Sequence, residues 1–219
     1  TGAASNAVGL WTRFEDTFTS ERDYGNPVQD AKVNVEFTCP QGKTRTLPAF
    51  WDGGRIWRVR FSPDEAGKWT HKTLCSDKSN TGLHERTGSF ECEEYRGEIP
   101  LFQHGELRLS ANRRYIEHAD GTPFFWLADT VWCGPMLAAF DDWDVFLKDR
   151  VEKEFTAIQF VMTQWRMAMT DAEGNPTFTG TDRIAINPAY FQRLDKYVDV
   201  INDAGLIAVP VLLWAIRGD

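Results

Sequence analysis

Clustered positive charge is what this chain most conspicuously lacks. Its 219 residues hold 24 Lys and Arg against 32 Asp and Glu, a formal charge of −8, and no basic run reverses that balance locally. A polyanion is gripped through a cationic patch, so neither nucleic acid nor an anionic membrane surface is expected as a partner. There is also no apolar stretch of the roughly 18 residues that a membrane-spanning helix needs. Cysteine is sparse and unpatterned. Cys39, Cys75, Cys92 and Cys133 contain no C-x-x-C pair, and His71, His84, His104 and His118 are scattered. That spacing gives no zinc site, and no metal or other cofactor is expected. Cys39 and Cys92 fall in strand-like stretches of one region and could pair; buried free thiols are the favoured reading. Three catalytic signatures are missing as well: the G-x-S-x-G elbow of acyl transfer, the G-x-G-x-x-G of dinucleotide binding, and a P-loop, since Ala66-Gly67-Lys68 is followed by Trp69. No signal peptide is visible in TGAASNAV, which leaves secreted, periplasmic and cytoplasmic placement all open.

Aromatic residues are abundant, with nine Trp and fifteen Phe, and apolar residues make up 42% of the chain. That is ample for a packed core. Flat indole faces also suit the apolar faces of sugar rings.

The pattern changes along the chain. Residues 1–97 read as all-β, with strand-like runs at 11–19, 33–38, 44–50, 56–61, 68–74 and 88–92. Turn chemistry separates them: Gly25-Asn26-Pro27, Pro40-Gln41-Gly42, Asp52-Gly53-Gly54 and Glu65-Ala66-Gly67. Short strands at this spacing predict an immunoglobulin-like β-sandwich, with Trp51, Trp57 and Trp69 in its core. Residues 95–100 read as a linker and 101–116 as a hairpin. Within 98–219 the period alternates between strand and helix. Strands are expected at 123–131, 155–164 and 206–216. One helix should be capped by Asp141 or Asp142 and bury Trp143, Phe146, Leu147 and Val151. Another should begin at Asn187-Pro188, bury Phe191, Leu194, Tyr197, Val198 and Ile201, and stop at Gly205. Apolar strands alternating with amphipathic helices imply a parallel sheet covered by helices, so the whole reads as α/β with an all-β N-terminal domain.

In parallel α/β architectures the working residues sit at the C-terminal strand ends. Here those ends are Asp129-Thr130-Val131-Trp132, Thr163-Gln164-Trp165-Arg166 and Trp214-Ala215-Ile216-Arg217-Gly218-Asp219. Each carries a Trp with an acid or an Arg nearby, a combination that can stack on a sugar and bond its hydroxyls. Asp129, Trp132, Gln164, Trp165, Arg166, Trp214, Arg217 and Asp219 are therefore candidate substrate-binding residues. Strand alternation would put Phe125, Leu127 and Asp129 on one face, and Gln159 on a barrel interior or pocket wall. Each has a plainer counterpart: Asp129 as a turn cap, Trp132 and Trp214 as packing, Arg166 and Arg217 as surface ion-pair residues.

These residues also resemble a known pairing of domains. FEDTFTS, YGNP, FWDGG, WRVRFSPDEAGKW and TGSFEC resemble the DUF5060 β-sandwich; HADGTPFFWLADTVW and FTAIQFVMTQW resemble the start of a DUF4038-type, apiosidase-like barrel of glycoside hydrolase family 140. The usual pattern is FFWLGDTAW, from which Ala128 and Val131 are mild departures. The resemblance implies a TIM (β/α)8 barrel that cleaves a glycosidic bond, in a plant- or algal-type polysaccharide or oligosaccharide, with two carboxylates. In related barrels those acids lie on later strands, so the catalytic pair is not assigned here. A full barrel takes about 250 residues, and 98–219 reads as a partial one. Such a barrel would expose strand edges and should self-associate or take a chain that completes it. The alternative reading is a non-catalytic carbohydrate-binding or assembly module.

Overall fold

A computed structural model describes residues 7–214. The chain divides into two compact units, Thr1–Glu98 and Ile99–Asp219.

The first unit contains β1 (Ala7–Gly9), β2 (Phe14–Thr19), α1 (Pro27–Asp30), β3 (Val33–Thr38), β4 (Thr44–Pro48), β5 (Phe50–Trp51), β6 (Ile56–Phe61), β7 (Gly67–Cys75) and β8 (Thr87–Glu93). One sheet has the order β1-β8-β7-β3-β4 and the other β2-β6-β5. All pairings are antiparallel except that of β1 with β8. Alternate residues of β3, β6 and β7 are buried, and both sheets contribute to one core that includes Phe14, Val35, Phe37, Val59, Phe61, Trp69 and Phe90. Trp57 and Trp69 lie in that core and Trp51 packs on it half-buried. Each such side chain, taken from water, stabilises the unit by about 1.5–3 kcal/mol. Cys39, Cys75 and Cys92 are buried free thiols, and desolvation pushes the Cys92 thiol up to about 11. The Gly25-Asn26-Pro27 turn becomes a single helical turn, because Pro27 is preset for the first helical position and Asn26 Oδ1 accepts from the Gln29 N–H at 3.3 Å.

The second unit contains α2 (Pro100–His104), β9 (Leu107–Leu109), β10 (Ile116–His118), β11 (Pro123–Phe124), β12 (Ala128–Thr130), α3 (Gly134–Leu137), α4 (Phe140–Glu152), β13 (Ala157–Val161), β14 (Phe178–Thr179), β15 (Ala185–Ile186), α5 (Pro188–Asp203) and β16 (Ile207–Val211). The hairpin expected over 101–116 is formed by β9 and β10, which pair antiparallel from Leu107 to His118, and the start of that segment is the helical turn α2. β11-β10-β9 is an antiparallel sheet, β14-β15 a small hairpin in the long loop, and β12-β13-β16 a parallel sheet whose crossovers carry α4 and α5. Ile158 and Phe160 of β13 join Trp143 and Leu147 of α4 and Tyr190, Leu194, Tyr197 and Ile201 of α5 in one core.

Three expectations are corrected. The 123–131 run is not one strand: β11 pairs antiparallel with β10, β12 pairs parallel with β13, and Phe125 between them is 75% exposed. Thr156 satisfies the backbone at the break, its hydroxyl donating to Phe125 O at 2.8 Å and accepting from the Leu127 N–H at 2.9 Å. α4 starts after Ala139 with no side-chain cap; Asp141 and Asp142 instead lie in its first turn, where carboxylates favour the helix dipole. Its Val151 is exposed rather than buried.

Candidate functional site

The pleat of the parallel sheet decides which side chains can meet a ligand. Asp129 registers with Ile158, and Thr130 with Gln159. Directly paired residues share a face, so Asp129 points with Ile158 toward the helices and Thr130 points with Gln159 away from them. The contacts agree. Asp129 Oδ2 accepts from Arg150 Nε of α4 at 2.5 Å, and the Arg150 guanidinium also lies over the rings of Phe146 and Phe155. On the other face the Thr130 hydroxyl donates to Gln159 Oε1 at 3.2 Å, which leaves the Gln159 amide hydrogens for another acceptor.

Past the strand ends the three indoles come together. Trp132 and Trp165 stack with centroids 5.6 Å apart and planes 24° apart. Trp214 stands edge-on to both, at 5.2 Å from Trp132 and 6.2 Å from Trp165. Trp165 is only 4% exposed and lies under the others, whereas Trp132 and Trp214 are 44% and 37% exposed. A cleft of about 200 Å³ is lined by Thr130, Gln159, Phe160, Val161 and Val211 together with Trp132 and Trp214. Its described lining carries no charged side chain.

The remaining candidates have other surroundings. The Gln164 side chain accepts from the Thr177 and Phe178 N–H groups at 3.1 and 3.3 Å, so it ties down the long loop. Arg166 is exposed beside Trp165. Arg217 and Asp219 lie outside the described residues. Thr130, Val161 and Val211 were not among the candidates. Thr130 was legible in principle, since its register partner Gln159 is the polar residue in an otherwise apolar strand. Beneath the site, burial pushes the Tyr190 hydroxyl up to about 12, and it donates to Met162 O at 2.8 Å. Among the described residues no group of three or more His, Cys, Asp or Glu side chains could hold a metal.

An all-β unit followed by parallel β/α steps with an aromatic cleft at their strand ends is the class of protein these observations define. The chain belongs to the apiosidase-like family, whose catalytic-domain model matches residues 110–219, and a domain of unknown function, DUF5060, matches residues 7–76. No curated protein matches the sequence. Among solved structures, a candidate glycoside hydrolase from Bacteroides vulgatus ATCC 8482 shares the fold with a TM-score of 0.75 at 23% identity, over 95% of this chain and 41% of that one. Two others match 54% of this chain: a glycoside hydrolase at 26% identity and TM-score 0.47, over 27% of its length, and a glycoside hydrolase of family 5 from the same Bacteroides strain at 22% and 0.46, over 26%. The chain therefore spans less than half the length of these three structures.

Proposed function

We propose that this chain is the N-terminal portion of a glycoside hydrolase acting on a plant- or algal-type polysaccharide or oligosaccharide. In this reading residues 1–97 form an immunoglobulin-like sandwich, and 98–219 the first three β/α steps of a TIM barrel. The observation that carries it is the cleft: two half-exposed indoles at right angles, beside the Thr130–Gln159 pair, at the C-terminal ends of parallel strands. Trp132 and Trp214 supply stacking faces, Gln159 donates to a ring hydroxyl, and Trp165 supports them from below. Arg166, exposed and next in sequence to Trp165, is a further candidate contact. Substrate contact by Asp129 requires it both to leave Arg150 and to turn from the helix-facing side of the sheet; otherwise it fixes the strand end through that pair. A variant Asp129→Asn of the complete enzyme separates these roles, since unchanged turnover removes Asp129 from substrate contact.

Cleavage needs two carboxyl groups, one to protonate the leaving oxygen and one to attack or to activate water. The described cleft lining contains none. The catalytic pair is therefore proposed to come from further β/α steps of a longer protein, from a second chain that completes the barrel, or across a self-association interface. That same lack of carboxylates favours a second reading, a non-catalytic carbohydrate-binding or assembly module. Aryl-glycoside hydrolysis together with glycan titration distinguishes them. Turnover supports the hydrolase; saturable quenching of indole emission without turnover supports the module; neither response removes carbohydrate from the assignment.

A further inference from the structure

Trp132 holds a backbone conformation that a bulky residue rarely adopts, with φ at +41°. Such a conformation persists only where the surroundings over-determine it. Part of that determination is backbone: Val131 N–H donates to Gln159 O at 2.9 Å, Val161 N–H to Trp132 O at 2.8 Å, and Gly134 N–H to Val131 O at 2.7 Å. These bonds fix the chain but leave the indole free to turn about its side-chain torsions.

Trp214 meets the indole edge-on, and a residue from the next strand end covers its face. Trp165 lies flat against the Trp132 ring, and its Nε1–H donates to Cys133 Sγ at 3.2 Å. It thus engages two consecutive residues, one by stacking and one by hydrogen bond. Trp165 is itself fixed, because its N–H and C=O exchange bonds with Ala168 at 3.0 Å each and its ring is buried. We infer that Trp165 is a positioning residue for the cleft: it clamps Trp132 and Cys133 so that the Trp132 indole is held in one plane, at a right angle to Trp214, before any ligand arrives. The clamp takes its use from the carbohydrate reading above, but its geometry is testable without a sugar. A platform already in place loses less side-chain freedom on binding, so the clamp should act on affinity.

The test uses the full chain carrying 5-fluorotryptophan, with the Trp132 resonance assigned through Trp132→Phe. One narrow Trp132 signal is expected in the parent chain, and a broadened or split one in Trp165→Leu. Trp165→Phe, which keeps a ring but not the N–H, should fall between. Cys133 is the half-buried thiol, the other three being buried, so its reaction with a thiol reagent should speed up in both Trp165 variants. Cys133→Ala removes the acceptor, leaves Trp165 stacked on Trp132, and should broaden the Trp132 signal less than Trp165→Leu does. A titration with methyl glycosides, read by indole emission, should weaken about threefold in Cys133→Ala, as expected when one side chain must be ordered on binding. Trp132 signals and thiol reactivity that stay at parent values in Trp165→Phe and Trp165→Leu would overturn the inference. So would changes that simply follow the melting temperature across all variants. If no glycoside quenches the parent chain, the carbohydrate reading fails, and the fluorine and thiol readouts still decide whether the clamp exists.

Discussion

His71 is 2% exposed in its side chain, ringed by Phe14, Phe18 and Phe37, and its Nε2 lies 2.8 Å from Asp16 Oδ2. It belongs to β7 of one sheet and Asp16 to β2 of the other, so the pair is a polar tie between two largely apolar inner faces. Partial burial pushes the Asp16 carboxyl up, but the bonds from His71 and from the Thr17 N–H outweigh it, and the net shift is downward from 3.8. A carboxyl whose folded value is depressed adds stability above its unfolded value and loses it as pH falls through the folded one. Melting temperature should therefore fall on acidification below about pH 4, and Asp16→Asn should flatten that part of the profile. An unchanged acid limb in Asp16→Asn would remove the pair from the acid response. Gly88 explains how the ring fits: a Cβ there would sit 2.4 Å from His71 Cε1. Gly88→Ala should cost about 1–3 kcal/mol by overpacking, measured by denaturant unfolding. At this scale the sequence was informative about identity and silent about direction. The three strand-end indoles stood out and do meet. The side to which Asp129 turns did not, because an apolar strand carries no mark of which face the helices cover.

Elements were most legible where one period ran unbroken. The 33–38 and 56–61 strands and the helix opening at Pro188 lie where alternation, Pro and Gly put them. The failure came in FFWLADT, where apolar residues continue through a change of partner sheet. Continuous hydrophobicity reports burial or aromatic content, not which strand is alongside. What breaks the run is a hydroxyl 30 positions or so downstream, Thr156, which no local pattern reveals. Thr156→Val keeps the shape and removes both bonds. About 1–3 kcal/mol of destabilisation is expected, checked by urea unfolding; a loss under about 0.5 kcal/mol would mean that the break is set by the sheets alone.

At the scale of the whole molecule, the described strands in the order β12-β13-β16 leave two parallel edges. Leu212 and Leu213 follow β16 and are largely exposed. Parallel sheets are normally covered and closed, and uncovered edges pair with other chains. The chain alone should therefore show a mass above 25.0 kDa that grows with concentration, and a lysine at Val209 on β16 should reduce it. A compact monomer at high concentration would contradict this. The alternation of strands and helices made the parallel sheet readable from sequence. The side on which it meets a cover was not readable, since that depends on atoms beyond the sheet itself.

The three residues between β11 and β12 set a parity. Counted from Phe124, paired with Ile116, to Thr130, paired with Gln159, the number of steps fixes which of two neighbours faces the cleft and which faces α4. Inserting one residue there forces a choice between two registers. If the antiparallel side holds, β12 slides by one position, Asp129 takes the place of Thr130, and Arg150 loses its carboxylate. A neutral cleft would then become an acidic one through a change in length alone, with every side chain of the site still present.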